Sequence, residues 1–310
     1  MRSATVPTSA LFGLLGLLWG ASFLLIRIGL EGFSPAQVGL LRLSLGAATL
    51  TVVMLVSRRR WPTEPGLLGH LAVVAVLLFV IPVALYSWAG QHLPSSLAAV
   101  LNATTPLMTL VVGAVALRAE CVTVRQGIGV VLGAAGVVVL TAPWQDAADA
   151  VPADGQRGLA VLACLGATAS YGCAYTWMRA FLVAGNARQP QPDALALTAA
   201  QLVIATVITV AASPWTGVFA VVPHVTANVA VSVLLLGVFS TGLGYVWNTT
   251  ITARWGAVRA SQVTYLTPVV GVILGALILG ERIGWEQLAG TAIVFGGIAL
   301  TQRRAAREAG

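Results

Sequence analysis

Ten apolar runs follow one another along this chain almost without a soluble insert: Ser9 to Gly29, Pro35 to Val56, Leu67 to Gly90, Ser95 to Leu117, Val124 to Leu140, Gly158 to Leu182, Ala194 to Ala212, Val225 to Thr250, Ala257 to Gly280 and Trp285 to Thr301. Each has roughly 17 to 25 residues, the length a helix needs to cross a hydrocarbon core of about 30 Å. The pattern predicts an all-α integral membrane protein with ten transmembrane helices. Composition agrees, because 58% of the residues are hydrophobic and 9% charged, with a mean hydropathy of +0.90, whereas soluble domains carry about 25% charged residues. The first run continues into a polar-studded helix with no small-residue cleavage site behind it. It reads as a retained span rather than a signal peptide.

The net charge is +7, but the arginines sit in short loops between apolar runs rather than on one soluble face, which fits a bilayer and not nucleic acid. No lysine occurs, so Walker A and Schiff-base chemistry are excluded. Cys121, Cys164 and Cys173 lack CxxC spacing and a nearby histidine, so they point to neither a metal site nor a disulfide framework. They read as small packing residues, and no metal or cofactor is expected. With ten spans both termini lie on one side, which also receives Arg2, Arg58 to Arg60, Arg118, Arg125, Arg188, Arg254 and the Arg303, Arg304, Arg307 tail. By the positive-inside rule that side is the cytoplasm. The opposite loops are short or acidic, with Glu31, then Asp146, Asp149 and Asp154 against Arg157 alone, then Glu281 with Arg282.

The chain also repeats itself. "TPLMTLVVGAVALRAE" from Thr105 matches "TPVVGVILGALILGE" from Thr267, and "QGIGVVLGAAGVVVLT" matches "QLAGTAIVFGGIALTQ". "WGASFLLIR" from Trp19 pairs with "YGCAYTWMR" from Tyr171, and Tyr86 with Trp88 matches Tyr245 with Trp247. The unit is five helices long. Five is odd, so the second copy crosses the membrane in the opposite sense, as in transporters that open a central site to either side in turn. This gives a first repeat over 1–141, an extracytoplasmic linker over 142–157 and a second repeat with a cytoplasmic tail over 158–310.

"LLGLLWGASFLLIRIGL", the arginine of "GLLRLSLGA" and the closing "YLTPVVGVILGALILGERIGWEQLAGTAIVFGGIAL" resemble the EamA branch of the drug/metabolite transporter superfamily, over essentially the whole chain. The resemblance implies ten helices in two inverted EamA repeats, a central cavity, and export of small metabolites, amino acids or drugs. The expected setting is a bacterial inner membrane, multi-pass, with a small-molecule substrate and the lipid bilayer as partners. The first copy departs from the pattern with "LRAE" where the second has "LILGE".

Candidate cavity residues follow from depth and spacing. Pro106 and Pro268 fall inside the fourth and ninth spans, where a proline frees the carbonyl four residues earlier, here of Asn102 and Thr264. Freed carbonyls are costly in lipid, so these breaks should face protein or water. Asn102, Thr105 and Thr109 share a face with one break, and Ser261, Thr264 and Tyr265 with the other. Polar lining of a pathway and packing by small polar residues are the two readings. Trp19, Ser22 and Phe23, with Tyr86, Tyr171, Tyr175, Tyr245 and Asn248, are candidates for an amphipathic cage around a small organic molecule. Interfacial anchoring is the alternative. Arg42, about two turns into the second span, costs on the order of 2.5 to 3.5 kcal/mol at mid-membrane. It holds a substrate carboxylate, hydrogen-bonds carbonyls of a neighbouring helix, or snorkels to the outer headgroups. Arg27 sits near a span end and reads as an anchor.

No Asp or Glu lies at mid-span, so a deeply buried carboxylate relay is not evident. His70, His92 and His224 lie near span ends and neither HExxH nor GxSxG occurs, so no enzyme is expected. Gly129 and Gly133, like Gly271 and Gly275, have the GxxxG spacing of close helix packing.

Overall fold

A computed structural model describes residues 7–117, 123–141, 156–183, 193–216, 218, 225–255 and 263–302. These fold as helices and turns, and no strand occurs among them. In chain order the helices are α1 (Thr8–Gly29), α2 (Pro35–Val56), α3 (Pro65–Ala75), α4 (Ile81–Ala89), α5 (Ser95–Asn102), α6 (Thr105–Leu117), α7 (Val124–Thr141), α8 (Gln156–Trp177), α9 (Ala194–Thr216), α10 (Ala227–Leu234), α11 (Gly244–Trp255), α12 (Val263–Leu279) and α13 (Trp285–Gln302). π-helical segments at Val76–Val80, Met178–Val183 and Leu235–Leu243 continue α3, α8 and α10. The first and last of these begin ten residues before Tyr86 and Tyr245, the paired tyrosines of the repeat.

Eight helical stretches among the described residues are long and apolar enough to cross a membrane, and α12 is a shorter apolar helix. Local sequence explains several boundaries. Ser34 and Gln37 form a reciprocal capping box at the start of α2, with Pro35 in its first turn. Gly280, at φ 65°, ends α12 in the left-handed region where a side chain would be strained.

The helices pack mainly between the first and second parts of the chain, and in matched pairs. α1 lies on α12 and α8 on α6; α2 lies on Leu235–Leu243 and α9 on α3; α5 meets α12, and α7 meets α13. Glycines set the close approaches. A Cβ at Gly20 of α1 would stand 2.5 Å from Val270 Cβ and 2.9 Å from the Thr267 carbonyl oxygen. One at Gly172 of α8 would stand 3.0 Å from the Met108 backbone. Thus the glycine of "WGAS" seats the turn after Pro268, and the glycine of "YGCA" seats the turn after Pro106.

Candidate functional site

Where α1, α2, α4, α8, α11 and the Leu235–Leu243 segment converge, aromatic rings and hydroxyls replace the aliphatic packing found elsewhere. Spacing along α1 puts Trp19, Ser22 and Phe23 on one face. The Trp19 indole donates to the Ser240 carbonyl at 3.1 Å, and its ring lies 5.7 Å from Tyr245, which in turn meets Phe79 edge-on at 5.3 Å. The Ser22 and Ser240 hydroxyls share a hydrogen bond of 2.6 Å. Phe23 meets Tyr86 edge-on at 5.3 Å, and Tyr86 stacks on Tyr171 at 6.5 Å. The Tyr86 hydroxyl donates to Asn102 Oδ1 at 3.0 Å, tying the ring cluster to the end of α5.

Arg42 reaches this cluster from α2. Its Nε–H donates to Thr241 Oγ1 at 3.0 Å, and the guanidinium lies within electrostatic range of Tyr171 and Tyr245. Among the described residues no carboxylate pairs with it. The partner of Arg42 is thus a hydroxyl of the neighbouring helical segment rather than a backbone carbonyl of it. Tyr175, one turn beyond Tyr171, is 46% exposed yet lies within electrostatic range of Tyr171 and Tyr245.

The freed proline carbonyls are occupied. Thr105 Oγ donates to Asn102 O at 2.7 Å, and Thr267 Oγ to Thr264 O at 2.9 Å. The residue before each proline thus replaces the amide that the proline lacks, so these carbonyls are not bare acceptors on a pathway. Around Pro106 the helix does divide, with α5 ending at Asn102 and α6 starting at Thr105; Pro268 lies buried inside continuous α12.

Some candidates lie elsewhere. Tyr265 packs edge-on to Phe295 at 6.2 Å, in an apolar group with Ala103 and Leu107, away from the tyrosine cluster. Asn248 lies half-buried on α11, and Ser261 falls outside the described residues. Phe79, Ser240 and Thr241 were not anticipated. For the last two a signal existed in "FSTGLGY", adjacent hydroxyls in an otherwise apolar run, whereas Phe79 has no mark in sequence.

A second polar region lies at the other end of α12. The Glu281 carboxylate accepts from Ser95 N at 2.7 Å, Ser95 Oγ at 2.8 Å and Ser96 N at 3.0 Å. It caps α5, whose N-cap Pro94 offers no side-chain acceptor. Burial alone would raise this carboxyl, but the hydrogen bonds from Ser96 and Ser95 outweigh it and hold the group below the ordinary carboxylate range. Glu281 also borders a cleft of about 450 Å³ with Arg27, Glu31, Gln91 and His92. Arg27 Nη1 donates there to Gly90 O at 3.0 Å, so it too bonds protein.

Known proteins share this fold. A solved structure 18% identical to the chain superposes with a TM-score of 0.63, spanning 97% of this chain and 98% of its own, which shows the fold. The uncharacterized inner membrane transporter YedA of Escherichia coli is 27% identical over 300 residues, 94% of this chain and 89% of that protein. A probable amino-acid metabolite efflux pump of Escherichia coli is 24% identical over 285 residues, 90% and 89% of the two chains. The family model of EamA-like transporters matches twice, over residues 8–142 and 158–303. With the match covering both copies, the chain belongs to the EamA-like transporter family.

Proposed function

We propose that this protein is a secondary transporter that exports small carboxylate-bearing metabolites, amino acids or close relatives, across a bacterial inner membrane by alternating access. In this reading ten spans form two inverted halves, 1–141 and 158–310, joined by an outer linker at 142–157, with both termini cytoplasmic. The matched cross-packing of α1 on α12 with α8 on α6 supports two pseudo-symmetric halves. Cysteine labelling in a background lacking Cys121, Cys164 and Cys173 tests the orientation. Protection of a linker cysteine until the cells are permeabilised overturns it.

One observation carries the substrate class: Arg42 stands in the central cluster with a hydroxyl partner and, among the described residues, no carboxylate. A hydrogen bond to a charged group returns about 1.5 to 3 kcal/mol, comparable to the insertion cost of about 2.5 to 3.5 kcal/mol. Nothing is left over to neutralise the charge, and an anionic substrate would supply that. The aromatic rings around it suit an amphipathic molecule with one charged end. Similarity to a probable amino-acid metabolite efflux pump agrees with this class.

Counterflow in proteoliposomes tests it. Arg42→Gln keeps hydrogen-bond donors, removes the charge and should lower carboxylate counterflow by about tenfold with insertion unchanged. If the wild type instead moves lipophilic cations and Arg42→Gln leaves that flux intact, the carboxylate reading is wrong and the rings are the recognition elements.

A further inference from the structure

We infer that Thr241 is a positioning residue for carboxylate recognition, one that fixes which edge of the Arg42 guanidinium meets the substrate. This rests on the carboxylate reading and goes beyond it by naming what aims the charge. A guanidinium can take a carboxylate on its Nε/Nη edge or on its Nη/Nη edge. Thr241 Oγ1 occupies Nε–H at 3.0 Å, and the two Nη groups have no hydrogen-bond partner among the described residues. The Nη pair is therefore the edge left to the ligand.

The threonine is itself oriented by the backbone. Its hydroxyl donates at 3.0 Å to the carbonyl of Leu236, five residues earlier, inside the π-helical segment Leu235–Leu243. With the proton spent there, the oxygen turns lone pairs to Arg42, so the hydroxyl acts toward the guanidinium as an acceptor. Its methyl is seated as well. A Cβ at Gly46, one turn beyond Arg42 on α2, would stand 2.7 Å from Thr241 Cγ2. Gly46 thus opens the place into which the threonine methyl fits, and that contact sets the distance at which the hydroxyl meets Nε. The adjacent Ser240 bonds the other way, to Ser22 and Trp19 of α1. One π-helical segment in this way braces both the charged and the aromatic side of the cluster.

The test measures counterflow of a mixture of the common L-amino acids and of the matching mixture of their carboxamides, which differ in the charge Arg42 would read. The wild type should prefer the acids, and Arg42→Gln should abolish that preference. Thr241→Val, nearly isosteric, should lower the acid-over-amide preference by about tenfold through the KM for acids, with a much smaller effect on amide flux. Gly46→Ala, which displaces the methyl without touching the hydroxyl, should act in the same direction. Thr241→Ser keeps the acceptor and loses the methyl, so it should stay within about fourfold of wild type. If Thr241→Val retains the wild-type preference while Arg42→Gln loses it, the positioning role is overturned and the carboxylate reading stands. Equal loss of acid and amide flux in Thr241→Val also overturns it, since that marks a packing role. A wild type without acid preference removes both.

Discussion

Two matched stretches, around Pro106 and around Pro268, fold differently. Both solve the missing amide alike, with the preceding threonine donating to the carbonyl three residues before it. Only the first divides the helix, with Ala103 and Thr104 in a turn between α5 and α6. The difference lies in what competes with the helix there. Thr104 Oγ bonds Leu101 O at 2.8 Å and approaches Thr168 Oγ1 at 3.4 Å, while Tyr86 holds the Asn102 side chain. In α12 the two positions before Thr267 are Tyr265 and Leu266; Tyr265 packs on Phe295, and Leu266 lies against Gly16. The turn that breaks is tied by Asn102 and Thr104 to α4 and α8, whereas Tyr265 and Leu266 of α12 pack on their neighbours in an unbroken helix. A proline licenses a break; its neighbours decide whether one forms.

The comparison breaks most directly at the two glycine seats. Gly20→Ala places a Cβ 2.5 Å from Val270 Cβ, and Gly172→Ala one 3.0 Å from the Met108 carbonyl carbon and oxygen. Neither obstacle is the free end of a flexible chain. Overpacking of this kind costs about 1 to 3 kcal/mol. The closer Gly20 contact should give the larger loss, read as the fraction of monodisperse protein surviving heating in detergent. Survival of both variants at the wild-type temperature would mean that α1 and α8 do not approach the proline turns this closely.

A smaller effect sharpens the contrast between the prolines. Pro268 sits in a helix interior, where proline is poorer than alanine by up to about 3 kcal/mol. Thr267 has already satisfied the orphaned carbonyl, so Pro268→Ala should recover only part of this, about 1 kcal/mol. Pro106 is the second residue of α6, where proline is tolerated. Pro106→Ala should therefore change stability by less than about 0.5 kcal/mol, and should lower counterflow if transport needs the break. Equal stability gains in the two variants would contradict the difference in backbone.

Much of the frame was legible in the sequence because it rests on period and length. The helical runs and the family, whose model matches twice, follow from apolar stretches and from matched blocks such as those opening at Thr105 and Thr267. The gathering of Trp19, Phe23, Tyr86, Tyr171 and Tyr245 was anticipated from their register in the repeat. What could not be read depends on where a side chain turns. Thr105 was read as pathway lining, and its hydroxyl bonds its own helix, as does that of Thr267, which the sequence did not single out. Thr241 was passed over because hydropathy gives no sign of the π-helical segment that aims it. Tyr265 shares a helix face with Thr264 in a linear reading, but its ring is long enough to reach Phe295. The gap between "LILGE" and "LRAE" is also beyond comparison here, since Glu120 lies outside the described residues.

A further expected effect concerns Glu281, the acid that closes the second copy. Gly280 adopts φ 65°, which lets the chain turn so that the Glu281 N–H reaches Gly275 O at 3.1 Å and its carboxylate reaches the start of α5. The negative charge there meets the unpaired N–H groups and positive end of that helix. Because the carboxyl is held below its ordinary range, ionised Glu281 stabilises the folded state at neutral pH. The contribution is complete above the unfolded value, about 4.3, and is lost as pH falls through the lower folded value. Glu281→Gln should therefore melt at a lower temperature than wild type near pH 7. The gap should hold down to about pH 4.3 and close only below it. Gly280→Ala, strained by about 1 kcal/mol at positive φ, should lower stability with the clasp chemistry unchanged, so its gap from wild type should not close in acid. Parallel acid profiles for Glu281→Gln and Gly280→Ala would show that the carboxylate adds nothing beyond the turn that carries it.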